Sequence, residues 1–166
     1  LQELALQAET NYAEAIEQLT RQYDGYRFTP EKGFTPMFNP FSVLNALAKS
    51  RFGDYWFASG TPTFLVEILK KTNFDLRELD GIEVSSASLS DDRANISNPV
   101  PMIYQSGYLT IKSFDQRFRT YTLGFPNEEV KYGFLNFAAP FYTPVASTDT
   151  TFYIGKFVHE LETGET

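Results

Sequence analysis

Between Leu109 and Phe125 the apolar residues alternate. Leu109 and Ile111 are interleaved with Thr110 and Lys112, and Tyr121, Leu123 and Phe125 with Thr120, Thr122 and Gly124. A period of two is that of a β-strand with one buried face. Asp115-Gln116-Arg117 supplies residues for a turn between the two runs. A two-stranded hairpin is marginal by itself in water. Its apolar face, Leu109, Ile111, Tyr121, Leu123 and Phe125, therefore has to lie against helices that present an apolar stripe of their own.

Such helices are written on both sides of the hairpin. Residues 1–23 read as one helix, with Tyr12, Ile16, Leu19 and Tyr23 on a common face. Asp24-Gly25 ends it. Tyr26-Arg27-Phe28 and Met37-Phe38 are set to pair as a short hairpin across Pro30 to Thr35. Asn39-Pro40 then starts a helix, Asn as the cap and Pro in the first turn. It is expected to run to Lys49 and to bury Phe41, Leu44 and Leu47. Thr61-Pro62 repeats the device, for a helix burying Phe64, Leu65, Ile68 and Leu69, with Lys70-Lys71 at its negative end. Val84 to Leu89 reads as a short strand, Ser90-Asp91-Asp92 as a cap, and Pro99 to Gln105 as a short helix ended by Gly107. Pro126-Asn127-Glu128-Glu129 opens a further helix with acids at its positive end. The predicted class is α+β and helix-rich, a helical segment (1–72) followed by a winged-helix-like module with a β-hairpin wing (73–140). Residues 141–166 are read as a linker and the start of another helix.

Composition bounds what such a fold can do. Hydrophobic residues are 42% of the chain, including sixteen Phe and ten Tyr, so a core of real size can form. The net charge of −7 argues against a surface that coats nucleic acid or anionic lipid. The absence of cysteine removes disulfides and thiolate metal sites and is in keeping with a cytoplasmic setting. No run approaches the roughly 18 apolar residues that a membrane helix needs.

Catalytic patterns are incomplete. Gly155-Lys156 lacks the first glycine of a phosphate loop, because Thr150 stands there, and Phe157 follows the lysine. Glu129-Val130-Lys131 is an E-x-K with Asp115 upstream, the elements of a metal-dependent nuclease centre. Its place after Pro126-Asn127 reads instead as a solvated first helical turn. His159-Glu160 is not a zinc motif, because Thr163 replaces the second histidine. No catalytic, cofactor or metal residue is assigned.

Five motifs in order carry a family likeness: Tyr23-Asp24-Gly25-Tyr26-Arg27-Phe28, Asn39-Pro40-Phe41-Ser42, Thr61-Pro62-Thr63-Phe64, Gln105-Ser106-Gly107-Tyr108-Leu109-Thr110-Ile111 and Leu123-Gly124-Phe125-Pro126-Asn127-Glu128-Glu129-Val130. Over roughly residues 12–140 the chain resembles the AAA-ATPase-like proteins common in Bacteroidetes. These are similar to archaeal-type P-loop ATPases and usually end in a PD-(D/E)XK nuclease-like domain. The resemblance implies a helical lid (1–72) and the winged-helix-like module, lying after the phosphate-loop core and before the nuclease-like domain. ATP and Mg would belong to the parent protein, and this stretch would relay nucleotide state without catalysing. In that setting Tyr23, Asp24 and Tyr26, with Tyr55, Trp56 and Phe57, are expected to contact the ATPase domain. An alternative is a winged helix that binds nucleic acid, with Lys112, Arg117 and Arg119 on its wing meeting phosphates.

Overall fold

The computed structural model describes residues 1–31, 34–60, 63–72, 74–89, 98–138 and 140. The Thr61-Pro62 cap, the Ser90-Asp91-Asp92 cap, Gly155-Lys156, His159 and the whole of 141–166 lie outside them. The described elements are α1 (Gln2–Gln7), α2 (Tyr12–Tyr23), α3 (Pro40–Lys49), α4 (Tyr55–Ala58), α5 (Thr63–Thr72), a 3-10 turn (Leu76–Glu78), β1 (Ile82–Ser85), α6 (Ser86–Leu89), α7 (Val100–Gln105), β2 (Thr110–Asp115), β3 (Thr120–Gly124) and α8 (Glu128–Ala138). The class is α+β and rich in helix.

The hairpin forms where the alternation places it, and β1 joins it on the far side of β3. The sheet is antiparallel in the order β1-β3-β2. Ile82 and Ile111 lie opposite Leu123 on its two sides, and Val84 lies opposite Tyr121. Directly opposed residues share a face, so this register collects Leu109, Ile111, Leu123, Phe125 and Val84 into the core. Tyr121 is half-buried and packs its ring on Phe114 at 4.6 Å. A bulge between Ile111 and Ser113 resets the parity of β2, which brings Phe114 opposite Tyr121.

Thr110 breaks the expected in–out pattern, since it is buried between two buried neighbours. Residues 26–28 run along the free edge of β2. The Thr110 hydroxyl accepts from the Arg27 amide at 2.6 Å and donates to the Arg27 carbonyl at 2.9 Å. A hydroxyl can do both at once. The segment 26–28 is itself bridged to Met37, as the sequence suggests, by amide–carbonyl bonds of 3.1 and 2.8 Å.

The main hydrophobic cluster lies under the sheet. It takes Leu65 and Leu69 from α5, Val100 and Ile103 from α7, and Val130, Phe134 and Ala138 from α8. A second cluster holds Leu4, Leu19, Tyr23 and Ala46 from the first three helices. Among the described residues, α5 thus packs with the sheet and not with the first three helices.

Several helix faces differ from expectation. Residues 1–23 form two helices rather than one. Glu9 adopts a left-handed φ of 53°, and the Asn11 side chain accepts from the Glu14 amide at 3.0 Å, starting α2 afresh. Tyr12 and Ile16 are exposed, while Ala15, Leu19 and Tyr23 are buried. In α3 the buried residues are Ser42 and Ala46, one turn apart, while Phe41 and Leu44 face solvent and Leu47 is half-buried. Small residues there let neighbouring segments approach closely. In α5, Leu65 and Leu69 are buried and Ile68 only partly so. The strand expected to reach Leu89 stops at Ser85 and turns into α6.

Candidate functional site

The first turn of α8 is where distant segments of the chain meet. Asn127 caps α8 by accepting from the Val130 amide at 3.1 Å, and its own side-chain amide donates to the Asp24 carbonyl at 2.9 Å. Glu128 pairs with Arg21 of α2 at 3.1 Å, both partly exposed. Gly25 takes a φ of 106°, and a Cβ there would lie 1.9 Å from the Pro126 carbonyl oxygen. The turn after α2 and the turn before α8 thus interlock, and only glycine fits at 25.

Glu129 is the residue that changes the picture. The solvated first turn expected for it is wrong, since it is only 2% exposed. One carboxylate oxygen accepts from the Ser42 hydroxyl at 2.6 Å and the other from the Trp56 amide at 2.7 Å. The Phe57 amide also bonds to this carboxylate. Trp56 and Phe57 are the second and third residues of α4, whose free N–H groups need acceptors. Asp54, at the position before that helix, makes no side-chain cap bond. A carboxylate from 73 residues downstream therefore caps α4, and it also sits in the positive first turn of its own helix. Burial pushes the Glu129 pKa above its ordinary value, opposed by the bonds from Ser42 and Trp56, with Asp54 adding to the rise. Burial likewise raises Asp54.

The six residues Tyr23, Asp24, Tyr26, Tyr55, Trp56 and Phe57 gather around this junction, two of them buried and four half-buried. Tyr23 is fully buried, and its hydroxyl donates to the Gly53 carbonyl and accepts from the Gly53 amide, both at 2.9 Å. Its ring stacks on Phe52 at 6.4 Å. Tyr26 is buried as well. Burial, first of all, takes the hydroxyl pKa of both tyrosines up to about 12, and the Glu129 charge adds to it. Asp24 contributes its backbone carbonyl. Tyr55, Trp56 and Phe57 are half-buried. Tyr55 donates to the Arg51 carbonyl at 2.6 Å and lies beneath the Lys49 ammonium, 4.6 Å from the ring centroid. Trp56 and Phe57 pack on Tyr108 at 5.2 and 5.9 Å. Phe57 also fills the notch left by Gly133 of α8, where a Cβ would come within 2.5 Å of the ring. Tyr23 and Tyr26 thus turn their rings inward, while Tyr55, Trp56 and Phe57 keep part of theirs exposed.

The expected basic residues of the wing are split. Arg117 and Arg119 are exposed at the turn, with Phe118 between them. Asp115 holds that turn by accepting from the Arg117 and Phe118 amides at 2.7 and 3.0 Å. Lys112 instead lies across Gly124 beside Asp80, which pairs with Lys131 at 3.4 Å. Asp115 therefore serves the hairpin turn and Glu129 the helix junction, and Lys131 pairs with Asp80. Among the described residues no group of three or more His, Cys, Asp or Glu is placed to hold a metal ion.

Sequence reasoning missed Glu129 because its neighbours state a helix start and nothing more. Its acceptor role depends on Ser42 and Trp56, far away in the chain. The one local sign is that Glu129 and Gly133 are one turn apart on the face that receives α4.

Among known proteins, the chain is similar to a protein of Azotobacter chroococcum mcd 1 described as "Uncharacterized protein in vnfD 5'region". The two are 37% identical over 112 residues, which is 66% of this chain and 21% of the relative. The chain thus spans about a fifth of the length of the curated relative it matches. No family model matches it, and no solved structure does. Among the described residues no helix is long and apolar enough to cross a membrane.

Proposed function

We propose that this chain is a non-catalytic coupling segment of a larger, ATP-dependent protein of the AAA-ATPase-like kind, acting in the cytoplasm. It would pack on a phosphate-loop domain that holds ATP and Mg, and pass the nucleotide state to a nuclease-like domain. The observation that carries this reading is the Glu129 junction. A relay needs two ends that move together, and Glu129 ties α3 and α4 to α8 with bonds to both carboxylate oxygens. The matched stretch of the relative, a minor part of a longer polypeptide, agrees with a segment that works among other domains.

The test has two arms. Titrating the chain alone with Mg-ATP in a calorimeter should give no saturable heat, since a triphosphate needs a cradle of backbone donors and a lysine. In the polypeptide as encoded, Glu129→Ala should change the ATP hydrolysis rate, whereas Glu129→Gln, which keeps one acceptor and replaces the other with a donor that the Ser42 hydroxyl can accept, should leave it near normal. An encoded polypeptide that does not hydrolyse ATP would rule the reading out.

A second reading, a winged helix that binds nucleic acid, draws on Arg117 and Arg119, exposed on either side of Phe118. It predicts salt-dependent binding of labelled DNA or RNA that Arg117→Ala with Arg119→Ala abolishes. Unchanged anisotropy on adding the wild-type chain would dismiss it.

A further inference from the structure

We infer that the exposed apolar side chains of Phe28, Phe34, Met37, Phe38, Phe41 and Leu44 are a docking surface for an apolar face of another part of the same polypeptide. The inference rests on the reading of this chain as one segment of a longer protein. Among the described residues, ten large apolar side chains are exposed, and six of them fall in this one stretch. They are Phe28, Phe34, Met37, Phe38, Phe41 and Leu44, between 40% and 67% exposed. Single exposed apolar residues are ordinary, but a concentration of them marks an interaction surface.

The surface is held in place rather than loose. The Tyr26–Met37 bridge closes the base of the loop. The Arg27 guanidinium donates to the Phe34 carbonyl at 3.2 Å and to the Lys112 carbonyl at 3.4 Å. Thr110 fixes the Arg27 backbone, and the Asn39 amide donates to the Tyr23 carbonyl at 2.8 Å. Phe28 stacks on the buried Tyr26 at 6.2 Å. Asn39 then caps α3, which carries Phe41 and Leu44 outward one turn apart. Rings fixed before binding lose little further freedom on contact, which is how interface anchors gain their strength.

The choice of occupant follows from length and charge. In the relative the matched stretch is only 21% of the polypeptide, so most of that protein lies elsewhere and is tethered nearby. A tethered partner faces a high effective concentration, so a modest apolar face suffices. A membrane surface is disfavoured, because a chain of net charge −7 is repelled by anionic lipid.

Photo-crosslinking in the polypeptide as encoded tests this. A benzophenone amino acid replaces Phe41 in one variant and Leu44 in another, with Phe118 at the hairpin turn as the exposed control. The expected result is a crosslink, within one polypeptide, from 41 and 44 to residues outside 1–166, several-fold above the yield from 118. Crosslinks between copies, shown by mixing isotope-labelled protein, would overturn the inference in favour of self-association. Crosslinks to lipid, yields no higher than at 118, or an encoded polypeptide with nothing beyond these residues would also overturn it. A third variant at Phe28 guards against misfolding of the α3 variants. Loss of the crosslink with ATP turnover still sensitive to Glu129→Ala would sink the surface and leave the coupling reading standing.

Discussion

Glu129 carries one charge and satisfies donors on two other segments, so its variants separate charge from hydrogen bonding. Glu129→Ala leaves the Ser42 hydroxyl and the Trp56 amide without their acceptor, at roughly 1–3 kcal/mol for each buried group left unpaired. Glu129→Gln retains a carbonyl for the Trp56 amide and puts an NH2 where the Ser42 hydroxyl can turn to accept, so its urea midpoint should stay far closer to wild type. The pH dependence has a definite sign. Burial raises the Glu129 pKa in the fold above its ordinary 4.5, so the folded state holds the proton more tightly than the unfolded one. The stability this lends is fully present below pH 4.5 and is lost as pH rises through the folded value. Glu129→Gln cannot titrate, so its stability relative to wild type should increase from pH 4.5 upward and level off only once the pH has passed the raised folded value. Denaturation midpoints measured at intervals across that range check this. A difference independent of pH would mean that Glu129 is not desolvated.

At the scale of elements, helix starts and the hairpin were legible in the sequence, while the facing of helices was not. Asn39-Pro40 signals a start because the side chain can reach the first amides, and Asn39 Oδ1 accepts from the Phe41 and Ser42 amides at 3.1 and 3.3 Å. Asn39→Ala should cost about 1 kcal/mol, the usual loss for a cap. An unchanged denaturation midpoint would mean the cap contributes nothing. Leu109, Ile111, Leu123 and Phe125 were readable because strand parity is local. Phe41 and Leu44 were misassigned to the core because hydrophobicity tells only that a face is apolar, not what covers it. Ser42 and Ala46 are buried instead, for reasons of close approach that no local pattern states. Thr110 shows the same limit, since its burial depends on Arg27, 83 residues away. Glu129 shows it most plainly, because a helix-start acid and a buried bridging acid look alike until Ser42 and Trp56 are in place.

At the level of the whole molecule, the two hydrophobic clusters formed by the described residues are tied to each other by polar links around the start of α8. The cluster of Leu4, Leu19, Tyr23 and Ala46 meets the cluster under the sheet through Glu129, Asn127, the Arg21–Glu128 pair and the Gly25–Pro126 contact. A segment that relays a state from one neighbour to another must open and close as one body, because clusters that move independently transmit nothing. Native-state hydrogen exchange at the amides of Leu19 and Ala46 in one cluster, and of Ile111 and Leu123 in the other, measures this directly. The account predicts the same opening free energy for both sets in the wild-type protein, and a lower value for Leu19 and Ala46 alone after Glu129→Ala. Two distinct opening free energies in the wild type, unaltered in their separation by Glu129→Ala, would contradict it.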